Sequence, residues 1–569
     1  MEYKGNPVSQ GIATGEVYLF EPFVPKIEEN YITSEEVDVK VQQYIDTRDK
    51  AKAELETLQE ELRKKNSDKV GIISAHIDML YDVAMNGEIE KHIRNNLLSP
   101  EYAIEKTYGK FARLLSRSKD KQIQERVADL KDIKLRLLRI WFNEPERSLA
   151  SLEKDVIIVA HDLFPSDTVN LDRSKVLAII TEVGGNTSHT AIIARSYEIP
   201  AVLGVVEIMG HLSNDEVVIV DAVDGVIYTE PNEEMHELYM HKREVYLQNA
   251  NEIKKYIDVE PIMQDGIKID VNLNIGDATP EELAGSQYTD GVGLFRTEFL
   301  YMSKPYLPTE EEQFMAYRKV ALEFGERPVI IRTLDVGGDK QLDSIEIPKE
   351  DNPFLGLRAL RLCFANPEIF QTQLRAILRA ACYGNLQIML PMVGSLDDIY
   401  AAKEVISNVK EDLGREGVEF KADVPIGIMI EIPSIALMSD KVAKAVDFAS
   451  IGTNDLCQYL TATDRLNPAV SKYYQSFHPA MFRIIGRVAT EFTNAGKPLS
   501  VCGEMGGDIV AASVLIGLGV KKLSMSLASV AGIKKLITSL TFEKAKELAE
   551  YALSCDTSDD VEAYIKQNI

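Results

Sequence analysis

The chain has only eight histidines in 569 residues, and one of them stands in a setting that suggests chemistry. The segment GGNTSHTAIIAR at 184–195 places His189 behind two glycines and between hydroxyl residues, ahead of an apolar run. Gly184 and Gly185 allow a tight turn from which the imidazole projects. A general base, a metal ligand, a core residue and a nucleophile that carries a group are all compatible with this pattern. The metal ligand is the weaker alternative, because no second His or Cys lies near it in sequence.

A second set of reactive residue types lies late in short apolar runs of the C-terminal half. Glu431 and Asp455 are oxygen ligands of the kind that Mg²⁺ takes while substrate and water complete its shell. Arg296, Arg332 and Arg465 carry guanidinium groups, which match phosphate and carboxylate oxygens bidentately. Together these residues predict a magnesium site for a small, highly anionic substrate that carries phosphate.

Cys502 ends another of these runs and has no companion with metal-ligand spacing. A thiol with a reference pKa of ~8.5 is mostly protonated at neutral pH and can donate a proton. Plain structural roles exist for each residue type, because strand-end acids accept hydrogen bonds, arginines pair with acids and lone cysteines pack in cores. Convergence on one face favours the chemical interpretation.

The elements that would position these residues follow from the apolar pattern of 261–569. Eight short runs alternate with helical patterns, which is the number that a (β/α)₈ barrel requires. Polar residues late in at least five runs favour a closed ring over an open doubly wound sheet, because barrel active sites lie at the carboxyl ends of the strands. The eight runs are 267–275, 291–299, 328–336, 387–393, 425–433, 447–455, 498–505 and 521–526.

The N-terminal half has a different organisation. The pattern from about 33 to 145 is helical, and its first helix repeats apolar residues at steps of four and three. Strand-like pieces on both sides of it predict one α/β domain, 1–30 plus 146–230, with the helical bundle of 31–145 inserted into it. A polar helix at 231–260 is predicted as a linker to the barrel domain, 261–569. The strand-like pieces are 11–20, 155–160, 176–181, 200–205 and 216–221.

Composition excludes several classes of function. The formal net charge of −26 argues against nucleic acid or an anionic membrane as a partner, since both need clustered Lys and Arg. The five cysteines form no CxxC pair, and no apolar run of 18 residues occurs, so disulfides, zinc and membrane insertion are not expected. The N-terminus lacks an apolar signal core, and a cytoplasmic protein is therefore expected.

Six segments with chemical residues stand in a fixed order along the chain: GGNTSHTAIIAR (184–195), DGVGLFRTEFLYM (290–302), IRTLDVGGDK (331–340), IGIMIEIPS (426–434), SIGTNDLCQY (450–459) and VCGEMGGD (501–508). They resemble the signatures of the phosphoenolpyruvate-utilising phosphotransferases, over essentially the whole chain. The resemblance implies a swivelling phosphohistidine domain, an inserted helical domain that binds the histidine-containing phosphocarrier protein HPr, and a C-terminal barrel that dimerises.

The resemblance also implies a role for each matching residue. His189 would be phosphorylated on Nε2 by phosphoenolpyruvate, with Thr168 contacting its ring. Asn186 departs from relatives that carry arginine there, which affects only the contacts around the phosphohistidine. The barrel residues would bind phosphate (Arg296, Arg332, Lys340, Arg358), hold Mg²⁺ (Glu431, Asp455), orient the substrate (Arg465, the Asn454 backbone) and donate a proton to the methylene carbon (Cys502).

Other classes of protein share part of this pattern. Pyruvate phosphate dikinase and phosphoenolpyruvate synthase share the His189 motif but need a nucleotide-binding domain, and the chain has no GxxxxGK[ST] loop. A metal-dependent pyruvate lyase would not require GGNTSHT, and a purely interacting protein would not require the barrel residues. A nitrogen-regulatory paralogue would usually carry an extra N-terminal sensor domain, so sugar uptake is favoured. His76 lies where a partner surface is expected, although an ordinary surface histidine explains it as well.

Overall fold

The computed structural model describes the chain except for residues 21–24, 26, 65–69, 117–120, 145–148, 150–151, 153, 164–170, 186–187, 198, 303–305, 339–344, 346–347 and 349. The chain divides into two compact units, Met1–Asn249 and Ala250–Ile569. The fold is α/β in both units, as the sequence predicts, and no described helix is long and apolar enough to cross a membrane.

Five of the described helices follow one another between residues 37 and 141 and pack around an apolar core of their own. The first helix buries Val41, Tyr44, Ala51 and Leu55, which confirms the face predicted from the steps of four and three. These helices are α1 (Val37–Lys64), α2 (Val70–Leu80), α3 (Val83–Asn96), α4 (Pro100–Ser116) and α5 (Lys121–Trp141).

His76 is a buried residue of α2, with 1% of its surface exposed, so its interpretation as a surface histidine is wrong. Its Nε2 lies 3.1 Å from Oδ1 of Asp129, and its Nδ1 lies 3.6 Å from Oδ2 of Asp132. Both carboxylates come from α5. His76 therefore joins two helices of the bundle, which is a structural role that the apolar periodicity of α2 did not reveal.

The strands that flank the helices form one eight-stranded sheet in the order β1-β8-β7-β3-β4-β5-β6-β2. Its centre is parallel, from β3 through β4 and β5 to β6, and its outer strands are antiparallel. All five predicted strands are present, and three short ones (β1, β2 and β8) were not predicted. The strands are β1 (Glu2–Lys4), β2 (Asn6–Ser9), β3 (Ile12–Phe20), β4 (Val156–Ala160), β5 (Val176–Thr181), β6 (Ala201–Leu203), β7 (Val217–Asp221) and β8 (Val226–Thr229).

The histidine segment begins a short helix, α6 (His189–Ser196), after β5. Ser188 caps the helix by accepting a hydrogen bond from the backbone N–H of Ala191 at 3.2 Å. Gly184 has a φ of 110°, a backbone conformation that favours glycine, as expected for the tight turn. The next helix, α7 (Glu233–Lys254), crosses the division between the units.

The second unit contains a closed barrel of eight parallel strands, β9 to β16, so the predicted barrel is confirmed. Each of the eight predicted runs contains one strand or overlaps it closely. The strands are β9 (Asp270–Ile275), β10 (Val292–Arg296), β11 (Val329–Arg332), β12 (Leu386–Leu390), β13 (Ile426–Ile430), β14 (Phe448–Ile451), β15 (Leu499–Val501) and β16 (Lys522–Met525).

Helices follow the barrel strands and bury their apolar faces against the ring. They are α8 (Pro280–Leu283), α9 (Glu298–Met302), α10 (Glu310–Phe324), α11 (Ala359–Ala365), α12 (Pro367–Ala380), α13 (Leu396–Glu416), α14 (Pro433–Leu437), α15 (Ser439–Ala445), α16 (Thr453–Leu460), α17 (Pro479–Asn494), α18 (Ile509–Gly517), α19 (Leu527–Ser539), α20 (Phe542–Ser554) and α21 (Ser558–Asn568).

Candidate functional site

The barrel brings the predicted residues to the carboxyl ends of its strands. Arg296 and Arg332 are the last residues of β10 and β11 and stand opposite each other in the strand register. Glu431 directly follows β13, Asp455 lies in the first turn of α16 after β14, and Cys502 directly follows β15. Parallel strands in a closed ring end at one face, so these side chains share one mouth of the barrel.

A buried network of ion pairs holds Arg332. Its Nη2 donates to Oε1 of Glu298 at 2.5 Å, and its Nη1 lies 2.9 Å from Oδ2 of Asp335. Burial alone would lower the pKa of Arg332, but Glu298, Asp335 and Glu431 raise it above its usual value. Arg332 is therefore a permanent cation with a fixed position.

Behind this network, Gln373 of α12 joins the segments that follow β10 and β11. Its Oε1 accepts a hydrogen bond from the backbone N–H of Leu334 at 2.8 Å, and its Nε2 donates to Oγ1 of Thr297 at 3.0 Å. Thr297 in turn donates to the carbonyl of Arg332 at 2.8 Å. A buried amide with both ends satisfied thus stabilises the backbone that presents the arginine.

Arg358 connects the acidic residues on the other side of the mouth. Its Nη2 donates to Asp335 at 2.9 Å, and its Nη1 lies 3.4 Å from Oδ1 of Asp455 and 3.2 Å from the hydroxyl of Tyr459. The next residue, Ala359, has a φ of 50°, a conformation that non-glycine residues rarely adopt. The chain therefore accepts local strain where it directs this arginine inward.

Glu431 is a buried carboxylate with one oxygen still available. Its Oε1 accepts a hydrogen bond from the backbone N–H of Met392 at 2.5 Å, whereas its Oε2 has no hydrogen-bond partner among the described residues. Burial raises the pKa of Glu431, and the nearby carboxylates of Asp455 and Asp335 raise it further. A cation beside Oε2 would therefore stabilise the ionised form of this carboxylate.

Glycine at 452 leaves room for that oxygen. A Cβ at this position would lie 2.8 Å from Oε2 of Glu431 and 3.0 Å from Sδ of Met429. Among the described residues, no group of three or more His, Cys, Asp or Glu side chains could hold a metal ion. The pair of Glu431 and Asp455 nevertheless fits Mg²⁺, which usually binds proteins through one or two carboxylates and fills its shell with water and substrate phosphate.

Cys502 points into an apolar layer inside the barrel. It packs with the side chains of Leu294, Met389 and Met429, and its thiol lies 3.6 Å from the carbonyl oxygen of Ile451. Burial raises the pKa of the thiol to about 11. Cys502 is therefore a neutral thiol at physiological pH, which suits a proton donor and not a nucleophile.

The remaining predicted residues fall into three groups. Asn454 and Glu504 exchange two hydrogen bonds of 3.2 Å, and Arg465 lies 3.9 Å from Asp455. The guanidinium of Arg296 forms no hydrogen bond or ion pair with any residue that the structure describes, so it is available to a ligand. Lys340 and Thr168 lie outside the described residues. For His189 the structure describes the backbone, which begins α6.

Several residues that position the site were not predicted from the sequence. Glu298 and Asp335 lie late in two of the predicted strand runs, but their pairing with the arginines was not predicted. The backbone of Met392 has a φ of 52°, which directs its N–H to Glu431. No sequence signal marks such a contact, whereas the glycine of SIGTND is a signal that could have suggested a close approach at 452.

Three family models match the chain: the PEP-binding domain of PEP-utilising enzymes over residues 250–542, their mobile domain over 152–225, and their N-terminal domain over 4–126. With the barrel and its arginines and acids, these matches define the chain as a PEP-utilising enzyme. A phosphoenolpyruvate-protein phosphotransferase of Bacillus sp. (strain S) is 39% identical over 566 residues, covering 99% of this chain and 97% of the relative. One of Bacillus subtilis (strain 168) is 39% identical over 569 residues, covering 100% and 99%.

The chain therefore belongs to the phosphoenolpyruvate-protein phosphotransferase family and is an enzyme. A solution structure titled Enzyme I (nEIt) is 31% identical and covers 43% of this chain and 99% of its own, with a TM-score of 0.39.

Proposed function

We propose that the barrel mouth binds phosphoenolpyruvate and that His189 takes its phosphoryl group and passes it to the histidine-containing phosphocarrier protein HPr. The observation that carries this proposal is the buried network around Arg332 and Arg358, together with the available guanidinium of Arg296. Two guanidinium groups held by buried ion pairs and a third that is available to a ligand suit a small substrate with both phosphate and carboxylate. The later steps, transfer to His189 and from it to the carrier, belong to the α/β domain and the inserted helices predicted from the sequence.

Within the mouth, each side chain has a distinct proposed task. Arg296 and Arg332 bind the phosphate, and Arg465 with the backbone of Asn454 orients the carboxylate end. Arg358 keeps Asp455 in place through its 3.4 Å contact, and Lys340 and Arg358 are further proposed phosphate contacts. Phosphoryl transfer needs positioning and neutralisation of charge more than covalent help, and fixed guanidinium groups provide both.

Glu431 and Asp455 are the proposed ligands of Mg²⁺. The ion, when bound, neutralises charge on the transferring phosphoryl group and on the leaving oxygen. The available Oε2 of Glu431 and its raised pKa support this assignment, because a nearby cation would relieve both. Gly452 maintains the space that this oxygen faces.

The chemical step then needs two groups of this chain. Nε2 of His189 forms a bond to phosphorus while the bond between phosphorus and the enol oxygen breaks. The enolate of pyruvate that departs takes a proton at its methylene carbon from the thiol of Cys502. Formation of the keto form makes the transfer favourable, and Thr168 is the proposed contact of the histidine ring.

Because the substrate and the carrier lie on different domains, we propose that the α/β domain (1–30 and 146–230) pivots between them. The start of α7 is fastened to that domain, since Nζ of Lys242 lies 2.5 Å from the buried Asp221. A pivot therefore belongs after this contact, in the part of the 231–260 linker nearest the barrel domain (261–569). The inserted helices (31–145) would bind the carrier.

The setting of the reaction follows from these assignments. We propose a cytoplasmic enzyme of the sugar phosphotransferase system, because phosphoenolpyruvate is an intracellular metabolite, and a homodimer formed through the barrel domain. A nitrogen-branch paralogue remains the second candidate, since it would use the same site with another carrier.

Phosphate transfer to carrier proteins tests the proposal. The full-length chain, labelled with [³²P]phosphoenolpyruvate and Mg²⁺ without nucleotide, is mixed with purified HPr of the sugar system and with its nitrogen-branch counterpart. We expect rapid transfer to the histidine of the sugar carrier and slow transfer to the other. Transfer to neither carrier, from a fully labelled enzyme, would contradict the proposed pathway, and preference for the second carrier would establish the paralogue.

A further inference from the structure

A cavity of about 300 Å³ lies among the amino-terminal ends of the barrel strands. Val292, Phe448 and Lys522, which line it, are the first residues of β10, β14 and β16, and Asn385 directly precedes β12. Because the barrel strands are parallel, this end is opposite the mouth that carries Arg332 and Glu431. The volume falls within the range of about 300–1,000 Å³ that is typical of small-molecule sites.

The amide of Asn272 lines this cavity without a hydrogen-bond partner in the protein. Asn272 lies in β9 and is only 5% exposed. Its side chain forms no hydrogen bond with any residue that the structure describes. An amide buried without a hydrogen bond costs free energy, so such groups are normally satisfied by ordered water or a ligand.

Gln387 of β12 brings a second amide to the same cavity. It stands two residues before Met389, which packs in the apolar layer inside the barrel, so strand alternation directs Gln387 inward as well. Its side chain also forms no hydrogen bond within the part of the chain that the structure describes. An amide with an unused donor and an unused acceptor recognises a group that presents both side by side, such as another amide or the edge of a heterocycle.

The rest of the lining indicates an uncharged ligand. Among the described residues that line the cavity, only Lys522 is ionisable, and its Nζ lies 2.8 Å from Oδ2 of Asp270. This ion pair leaves no net charge for an ionic ligand to match. Val292, Ile330 and Phe448 contribute apolar walls, and a mainly apolar pocket with a few placed polar groups is typical of small-molecule sites.

We propose that this cavity binds a small, uncharged amide or amide-like heterocycle through the side chains of Asn272 and Gln387. The site is separate from the catalytic mouth and does not depend on the proposed function. Ile330 and Phe448 line the cavity and also pack with Cys502 in the apolar layer inside the barrel. The bound compound therefore lies one layer of side chains from the thiol.

Binding of defined probes to the full-length protein tests the inference. Nicotinamide and adenine are the uncharged probes, and nicotinate is the charged counterpart of nicotinamide. Each is titrated while the ¹³C-methyl signal of Ile330, assigned with Ile330→Val, is followed. We expect a saturable shift of this signal with at least one uncharged probe. Nicotinate, whose carboxylate donates no hydrogen bond, should bind at least about tenfold more weakly than nicotinamide.

Matched variants separate this cavity from other places where a probe could bind. Asn272→Leu and Gln387→Met each remove one amide with little change in volume, and each should weaken binding by about tenfold, the effect of a lost hydrogen bond. Gln371→Met makes the same exchange at an exposed position of α12 and should bind as the wild type does.

Loss of an amide that has no partner in the protein should leave both cavity variants folded, which their other methyl signals verify. Three results would overturn the inference. They are the absence of saturable binding by both uncharged probes, equal affinities of Gln387→Met and Gln371→Met, and a nicotinate affinity at the Ile330 signal equal to that of nicotinamide.

Discussion

Arg332 and Glu298 form a buried ion pair, with 2.5 Å between Nη2 of the arginine and Oε1 of the glutamate. Arg332 ends strand β11, and Glu298 begins helix α9 after the neighbouring strand β10. The pair therefore links the carboxyl ends of two neighbouring strands, β10 and β11, at the barrel mouth. A buried guanidinium whose partner is removed keeps its charge and loses its position.

The first prediction is that Glu298→Ala raises the KM for phosphoenolpyruvate and lowers the free energy of unfolding of the barrel. Breaking a buried pair typically costs about 3–5 kcal/mol, although the second contact of Arg332 with Asp335 reduces the loss. Steady-state kinetics and thermal unfolding measure the two effects. The control is Asp412→Ala, which removes an exposed pair with Arg415 worth about 0–1 kcal/mol. Equal KM values and equal free energies of unfolding in the two variants would show that the buried pair does not position Arg332 for the substrate.

The second prediction concerns Gly452. A methyl group there would lie 2.8 Å from Oε2 of Glu431, so Gly452→Ala should displace that carboxylate. The Mg²⁺ concentration needed for half-maximal turnover should then rise by about tenfold or more. The measurement is a Mg²⁺ titration of pyruvate formation. Gly414→Ala, in helix α13 with no atom within 4 Å of the added carbon, is the control and should leave the titration unchanged. An unaltered Mg²⁺ requirement in Gly452→Ala would remove Glu431 from the metal site.

The third prediction concerns the thiol of Cys502. Its replacement by alanine should slow turnover by about 10²–10⁴-fold while changing KM much less, as expected for loss of a general acid. Because burial raises its pKa to about 11, the protonated donor persists as pH rises and is lost only near that value. The wild-type pH profile of kcat should therefore show no loss centred near ~8.5, the value of a free thiol. A decline there, matched by the pH dependence of alkylation at Cys502, would contradict the assignment.

The fourth prediction tests the division of labour along the chain. A fragment of residues 1–258 contains the sheet, the inserted helices and His189, but not the barrel. It should exchange phosphate reversibly with phosphorylated HPr and accept none from phosphoenolpyruvate. A folded fragment, verified by circular dichroism, that fails to exchange with the carrier would contradict the assignment of carrier binding to this half.

The sequence predicted the large elements because their signals are strong and local. The eight barrel runs are apolar and separated by helical patterns, and α1 repeats its apolar residues over many turns. These elements were therefore predicted correctly. Strands β1, β2 and β8 were not predicted. Each has three or four residues, too few to show a period of two, and β1 (EYK) and β2 (NPVS) have no apolar run either. His76 was misjudged because its partners, Asp129 and Asp132, lie more than 50 residues away in sequence.

The candidate site was predicted in its residue types but not in its connections. The positions of Arg332 and Glu431 at strand ends followed from the barrel, since every parallel strand points its carboxyl end to one face. Which acid pairs with which arginine depends on side-chain directions across neighbouring strands, and no sequence spacing encodes them. The same holds for the N–H of Met392, which reaches Glu431 only through an unusual backbone conformation.

The proposed function requires that the barrel binds phosphoenolpyruvate and that His189 receives its phosphate. Labelling with [³²P]phosphoenolpyruvate and Mg²⁺, followed by peptide mapping, tests it most directly when wild type and His189→Ala are compared and substrate binding is followed by calorimetry. We expect acid-labile, alkali-stable label on His189 of the wild type, none on the variant, and nearly equal binding of phosphoenolpyruvate to both. Label on another residue, or loss of substrate binding in His189→Ala, would contradict it.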